Sequence, residues 1–586
     1  MCGIAGLMTG NGSPPDLATM ERLKERLRHR GPDGDGMHTA GNLAMVQTRL
    51  AIIDLETGDQ PLFEQGGAAL VANGEIYNYI ELRDQIKGVN FATNSDCEPP
   101  LHLYRRHGHD FAETLRGMYA IAIHDPAKET LLLARDRFGI KPLYYAETPE
   151  GFAFASEPHV LIKTGLARPR IVPARRDELL QLQFTCGRET IFKGIHRLLP
   201  GETLAVRNGK VVERQRLSAL PETCEEELTE EDALDRLDKA LEDSVRIHQR
   251  SDVPYGLFLS GGIDSSVVLA LMTRLNGRPV QAYTVGFSGT NVPDEREHAR
   301  IVAKSVGAEH IEVDFDEEDF WSLLPRIAAD LDDPAADYAI LPSWKLARTA
   351  AQDLKVVLSG EGGDELFAGY GRYRSLLRPW WLGGRGIRGK GTFDGLGVLR
   401  DDRSTWRDGV TAAEATVSIG GRSRLQIAQA TDCTDWLPND LLTKLDRCLM
   451  AHGVEGRTPL LDPVVAAVAY CLPDQLKIRD GVGKWLLRRW LERELPQARP
   501  FEKKRGFTVP VGEWIRARGE ALGPLVAAHP AIEEVARPEA VRRLFTANGK
   551  RAGFAAWTLL FYALWHQHHI DGKDTQGSVF DVLSTT

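Results

Sequence analysis

Cysteine is scarce in this chain, seven residues in 586, at positions 2, 97, 186, 224, 433, 448 and 471. No two stand in C-x-x-C spacing, which excludes a zinc ribbon. An odd, scattered set suggests no disulfide framework either, so reduced thiols are expected. Long apolar runs are also lacking. None approaches the ~18 residues of a membrane-spanning helix, and no basic-then-apolar leader is visible. Positive charge is not in excess: the formal net charge of -10 argues against a general nucleic-acid or anionic-membrane surface. No internal repeat appears, which excludes solenoids and propellers. A cytoplasmic protein is the expectation.

What is present is a long chain of ordinary globular composition. At roughly 100–200 residues per domain, its length suits three or four domains, or two large ones, with cores that need no staples. Residues 1–205 carry short apolar runs, at 69–72, 120–124 and 130–134, separated by Gly, Pro, Asn and Asp. They read as a mostly antiparallel β domain. A helix is expected over 16–28, with Leu17, Met20, Leu23 and Leu27 on one face, ended by the turn at 30–34. Residues 206–230 turn polar and acidic, with Glu225, Glu226 and Glu227, and read as a linker. From 231 to 570 helices and strands alternate: a helix at 231–248, then strands at 255–259, 280–287 and 355–358. That order implies a parallel sheet with helices on both faces, followed by C-terminal helices. The Gly/Arg-rich stretch 375–425 resists assignment, and the polar tail 571–586 reads as loose.

Cys2 follows the first methionine directly. Were Met1 removed, the α-amine of Cys2, with an ordinary pKa of about 7.7–8.0, would be able to relay the thiol proton near neutral pH. The plainer alternative is an inert buried cysteine. Attack on an amide needs an oxyanion hole, for which Asn73-Gly74 offers a side-chain amide and a backbone N–H; the same pair suits a hairpin turn. Arg49 suits a carboxylate through its fork geometry, or a surface ion pair. Glu75 and Asp96 suit an ammonium group. The segments Met-Cys-Gly-Ile-Ala-Gly at 1–6, Arg-Gly-Pro-Asp at 30–33, Arg-Leu-Ala-Ile-Ile-Asp at 49–54, Asn-Gly-Glu-Ile-Tyr-Asn at 73–78 and Arg-Asp-Arg-Phe-Gly-Ile-Lys-Pro-Leu-Tyr-Tyr at 135–145 together resemble class II glutamine amidotransferase domains. The resemblance implies an N-terminal nucleophile (αββα) fold. It makes Cys2 the nucleophile, Arg49 the binder of the glutamine carboxylate, and Asn73 and Gly74 the oxyanion hole. Glu75 and Asp96 would face the glutamine amine. Cys97 stands where that family usually has Thr.

A second signature, Ser260-Gly261-Gly262-Ile263-Asp264-Ser265-Ser266, lies between an apolar strand and an apolar helix. A glycine turn there presents N–H groups to an anion, though Ser-type capping of an ordinary turn has the same form. Asp264 suits Mg²⁺ held against phosphate oxygens. The stretch from Gly384 to Lys390 fits G-x-x-x-x-G-K but continues with Gly391, not Ser or Thr, and is rejected as a phosphate loop. Ser359-Gly360-Glu361-Gly362-Gly363-Asp364-Glu365 follows another strand and is expected to face the first loop across one end of the sheet. Asp364 would share the metal with Asp264; a solvated acidic turn is the alternative.

Asp446-Arg447-x-x-Met450, Glu455-x-Arg457-x-Pro459-x-Leu461-Asp462 and Lys484-x-x-Leu487-Arg488 complete a pattern. The serine-glycine loop resembles that of ATP pyrophosphatases. The whole, over about 1–520, resembles glutamine-dependent asparagine synthetases. The resemblance implies ATP contacts at Leu259, Ser260, Gly261, Gly262, Asp264, Ser265, Ser266, Val285, Ser359, Gly360 and Glu361, and Mg²⁺ at Asp264 and Asp364. It gives Lys484 to the phosphates and Glu361 to proton transfer. The substrates would be glutamine, ATP and aspartate, with a β-aspartyl-AMP intermediate, an ammonia tunnel and a homodimer. Another acceptor carboxylate (a peptide, a cell-wall precursor or a natural product) and a simple glutaminase are the alternatives. Gly363 and Leu460 replace Ser and Phe of some relatives. His566, His568 and His569 read as solvated surface, not as a metal site.

Overall fold

A computed structural model describes residues 2–224, 228–290, 292, 294–384, 386–401, 405–502 and 508–585. Met1 and the acidic run Glu225 to Glu227 therefore lie outside the described residues. Twelve strands build the first half in two six-stranded sheets. They are β1 (Gly3–Thr9), β2 (Gly34–Ala40), β3 (Leu43–Arg49), β4 (Leu62–Phe63), β5 (Ala69–Ile76), β6 (Gly117–Asp125), β7 (Thr130–Arg135), β8 (Tyr144–Thr148), β9 (Gly151–Ala155), β10 (His196–Arg197), β11 (Glu202–Arg207) and β12 (Lys210–Arg216). The orders are β10-β8-β9-β1-β3-β2 and β12-β11-β7-β6-β5-β4.

Period-two alternation sorts each strand's side chains to two faces, and both faces are covered. Ile4, Met8 and Met45 point inward, meeting Val71, Ala120 and Leu133 of the other sheet. Ala5, Leu7 and Val46 point outward, onto Leu23 and Leu27 at helix α1 (Leu17–Arg26). Asp16 caps α1 by accepting from the N–H groups of Ala18 and Thr19. The outer face of the second sheet packs on Leu101, Tyr104 and Phe111. The result is the expected αββα sandwich.

Strand β12 occupies ground that the sequence reading gives to the linker. It is an exposed edge strand, so its polar residues carry no apolar signal, yet it pairs with β11 from Glu202↔Arg216 to Arg207↔Lys210. Glu230 and Glu231, also read as linker and its border, form the first turn of α2 (Glu230–His248). Acidic side chains favour a helix N-terminus, and Thr229 caps it.

The second half holds five parallel strands: β13 (Tyr255–Phe258), β14 (Gln281–Gly286), β15 (Glu309–Asp314), β16 (Val356–Leu358) and β17 (Glu455–Arg457). Their order, β15-β14-β13-β16-β17, reverses direction at β13, so a crevice opens where the loops after β13 and β16 diverge. Helices α3 (Ile263–Leu275), α4 (Leu442–Met450) and α5 (Trp485–Glu494) surround this end. The unassigned stretch 375–425 contains helices at Asp408–Val417 and, from its end, Arg424–Thr431.

Three expectations are corrected here. Cys224 and Cys471 form a disulfide across 247 residues, a separation with no sequence signature, whereas Cys2, Cys97, Cys186, Cys433 and Cys448 are free and buried. The tail is not loose: Val579–Ser584 is a helix with a Ser578/Asp581 capping box, and Val579, Val582 and Leu583 are buried. Nor are the histidines solvated surface. They end the long helix α6 (Lys550–His569), where His569 is buried against the carbonyl of Ala328 and His566 faces Asp571. No helix among the described residues is long and apolar enough to cross a membrane.

Candidate active sites

The first site forms where the two sheets of the sandwich face each other. Cys2 lies just ahead of β1, buried, and its nitrogen donates to Asn73 Oδ1 at 3.2 Å. Asn73 is central in β5, opposite Ala120, so the hairpin-turn alternative does not hold. The Nδ2 group of Asn73 is buried without a hydrogen-bond partner. A side chain at Gly74 would sit 2.1 Å from the Met118 carbonyl, so only glycine fits beside β6 there. Burial pushes the Cys2 thiol up, against the opposing influence of Arg49, and Glu75 adds to the rise.

Arg49, at the end of β3, donates to Asp59 at 2.7 Å and to the carbonyls of Ile53 and Asp54. It thereby anchors the loop over 53–59. Asp96 accepts from the Ile76 N–H at 2.7 Å, and burial lifts its carboxyl to about 6. Glu75 is raised further, by burial and then by Asp96. Cys97 lies against Asp96 and the Gly74 carbonyl, filling the Thr position without displacing either.

Three charged residues assigned no role by the sequence reading complete this site. Arg457, from β17 of the second half, sits 3.6 Å from Glu75 and is gripped by Glu455 at 2.6 Å. Arg30 donates to the Cys2 carbonyl. Each stood inside a motif, and that membership was the available signal.

The second site occupies the crevice of the parallel sheet. Gly261, at φ 67°, turns the chain after β13 so that α3 starts with Gly262 as its N-cap and no side chain closing its N–H groups. The Ser260 and Ser265 hydroxyls meet at 3.1 Å across this turn. The Ser266 and Ser359 hydroxyls are buried without a hydrogen-bond partner. Leu259 and Val285 are buried, on the loop after β13 and on β14. The loop after β16 comes so close that a side chain on Gly360 would lie 2.7 Å from the Ser265 nitrogen. Lys484, in left-handed conformation at the N-cap of α5, contacts Asp264 and lies 2.8 Å from Asp364. Burial alone would depress its ammonium; the two carboxylates hold it above the ordinary lysine range. Two carboxylates on one centre, with glycines 363 and 369 leaving no space for side chains beside them, suit a hard cation bound with phosphate oxygens.

Glu361 lies on the loop after β16, near Asp264, Asp364 and Lys444. Its carboxylate lies 4.0 Å from Lys444 Nζ and is pushed up by its surroundings, by burial first and then by Asp337 despite Lys444. Beyond it opens a cavity of about 590 Å³ lined by Asp337, Tyr370, Arg372, Arg388, Asp440 and Lys444, among others. Asp440 Oδ1 is buried there without a hydrogen-bond partner, and its carboxyl is lifted to about 7, by burial and then by Asp337. Arg388, Lys390 and Gly391, from around the rejected phosphate loop, line the same cavity.

Comparison with known proteins agrees with this arrangement. The asparagine synthase family model matches residues 236–567, and a glutamine amidotransferase domain matches 1–216. The glutamine-hydrolyzing asparagine synthetase 1 of Bacillus subtilis (strain 168) is 32% identical over 98% of both chains. A putative glutamine-hydrolyzing asparagine synthetase of Mycobacterium bovis is 35% identical over 97% of both. The amidase chyE of Penicillium rubens is 32% identical over 64% of this chain and 60% of its own. A family model over more than half of the chain, an N-terminal glutamine amidotransferase domain and relatives matched along nearly the whole length place this chain in the asparagine synthase family.

Proposed function

We propose that this chain makes asparagine from aspartate, ATP and glutamine. The observation that carries the reading is the convergence of Asp264, Asp364 and Lys484 between two glycine loops at the sheet's switch point, with Glu361 beside Lys444, a residue that lines a neighbouring cavity. In the first site, Cys2 Sγ attacks the side-chain amide of glutamine. Asn73 Nδ2 and the Gly74 N–H receive the oxyanion, with Arg49 on the substrate carboxylate and Glu75 and Asp96 on its ammonium. Ammonia leaves, and water releases glutamate from the thioester.

In the second site a carboxylate oxygen attacks the α-phosphorus of ATP and pyrophosphate leaves. The Ser260–Ser266 turn, the N-terminus of α3 and Lys484 hold the phosphates. Leu259 and Val285 flank the nucleotide, and Ser359 and Gly360 close the loop over it. Asp264 and Asp364 would hold Mg²⁺, which offsets negative charge on the departing pyrophosphate. Ammonia then attacks the acyl carbon and AMP leaves, with Glu361 taking the excess proton.

The cavity favours a second reading of the acceptor. A volume of about 590 Å³ falls within the roughly 300–1,000 Å³ that holds drug-sized ligands, and aspartate is much smaller. Lys390 and Arg551 at its lining add cationic groups. A larger carboxylate with a further anionic group fits that lining. Purified protein with glutamine, ATP and Mg²⁺, with and without aspartate, decides between them by mass spectrometry of the products. Asparagine and pyrophosphate formed together only with aspartate support the first reading. Glutamate without asparagine moves the search to larger acids.

A further inference from the structure

Arg30 is fully buried, and its guanidinium fork is satisfied from three directions. Nε donates to the Cys2 carbonyl at 3.2 Å. Nη1 donates to Glu157 at 2.6 Å and to Asp446 Oδ2 at 2.8 Å, and Nη2 donates to Asp446 Oδ1 at 3.0 Å. Only Asp446 takes both terminal nitrogens. A two-point contact of this kind fixes the plane of a guanidinium, whereas one acceptor leaves it free to swing. The direction of Nε toward Cys2 therefore follows from Asp446, which belongs to α4 in the other half of the chain. Asp446 is itself braced by Arg447 at 2.9 Å, and Arg447 by Asp332 at 2.7 Å.

We propose that Asp446 is a positioning residue for the nucleophile, acting through Arg30; the proposal rests on the reading of Cys2 given above. Cys2 is held on both sides of its α-carbon, its nitrogen on Asn73 Oδ1 and its carbonyl on Arg30. The first anchor is local. The second is complete only when the synthetase half is docked. Helix α4 carries Lys444 as well, 4.0 Å from Glu361, so one helix touches both reaction centres with side chains two positions apart. A shift of α4 at the acceptor cavity is transmitted to the nucleophile by one ion pair.

Asp446→Asn keeps the shape and removes the charge. A misplacement of about 1 Å is worth roughly 10²-fold in rate, so kcat for glutamine hydrolysis is expected to fall between about tenfold and a hundredfold. The KM for glutamine stays within about threefold, the pattern of a group acting on the transition state alone. Pyrophosphate release supported by ammonia stays within about twofold. Asp446→Glu recovers part of the loss. Arg30→Lys lowers kcat similarly, and the double variant falls no further than the worse single one, as expected for residues acting as a unit. Unchanged kcat in folded Asp446→Asn overturns the proposal. So do equal losses of glutamine- and ammonia-dependent rates with a lowered unfolding midpoint, which would make the pair interface packing only. Failure of the underlying reading shows elsewhere, as glutamine hydrolysis surviving in Cys2→Ala.

Discussion

Asn73 holds a buried amide donor with nothing to donate to, an arrangement that costs about 1–3 kcal/mol unless something arrives to accept it. An oxyanion is such an acceptor. Asn73→Ala is expected to raise the barrier to glutamine hydrolysis by about 2.7–4 kcal/mol, measured as single-turnover glutamate release. An unchanged rate would remove Asn73 from the site. Asp96 gives a pH signature. Its carboxyl titrates at about 6, lifted by burial, and an ammonium ligand needs it ionised. Protonation of Asp96 is therefore expected to weaken glutamine binding by up to about tenfold per pH unit below that value. Asp96→Asn should abolish the inflection in KM against pH. These residues were legible because a nucleophile, an amide pair and two acids are chemically unusual together. Arg30, Glu455 and Arg457 were not assigned roles, because their partners stand far away in sequence and nothing local announces which buried charge answers which.

Glycine positions in the loop after β16 show how tightly the two reaction loops are packed. A side chain on Gly363 would lie 2.3 Å from Asp264 Oδ1 and 3.0 Å from Leu460. Gly363→Ala therefore pushes on a carboxylate proposed to hold metal. ATP-dependent pyrophosphate release is expected to fall by at least about tenfold while glutamine hydrolysis persists. Equal loss of both would indicate general misfolding. Strands β13, β14 and β16 were readable as apolar runs between glycine turns. Strand β17 was not, since Glu455 and Arg457 give no apolar run; inside the sheet each neutralises the other. Strand β12 escaped for the opposite reason, being an edge whose outward residues are polar.

The two halves are joined by buried charge as well as by apolar contact. Arg197 of β10 meets Asp333 through two contacts of 2.7 Å, and Tyr144 donates to the same carboxylate at 2.8 Å. Phe192 packs 5.5 Å from Trp565 of the penultimate helix α6. Asp333→Ala leaves a buried guanidinium with only neutral acceptors, the Thr185 hydroxyl and the carbonyls of Thr185, Gly187 and Glu189, and is expected to cost about 3–5 kcal/mol, read as a drop in the unfolding midpoint. A drop of under about 1 kcal/mol would show that water reaches Arg197. The domain types were legible in the order of the motifs. The interface was not, because its pairs are separated by 136 residues for Arg197 and Asp333 and by 416 for Arg30 and Asp446.

That last separation also sets an order in time. A ribosome adds roughly 5–20 residues each second, so Arg30 emerges tens of seconds before Asp446 exists. Once residue 216 has emerged, a nascent chain owns its cysteine, its asparagine and the strands of its first two sheets, yet Arg30 has Glu157 and the Cys2 carbonyl without Asp446. On the proposed reading of Cys2, this delay withholds the second anchor of the nucleophile until the chain has made the site proposed to use the ammonia.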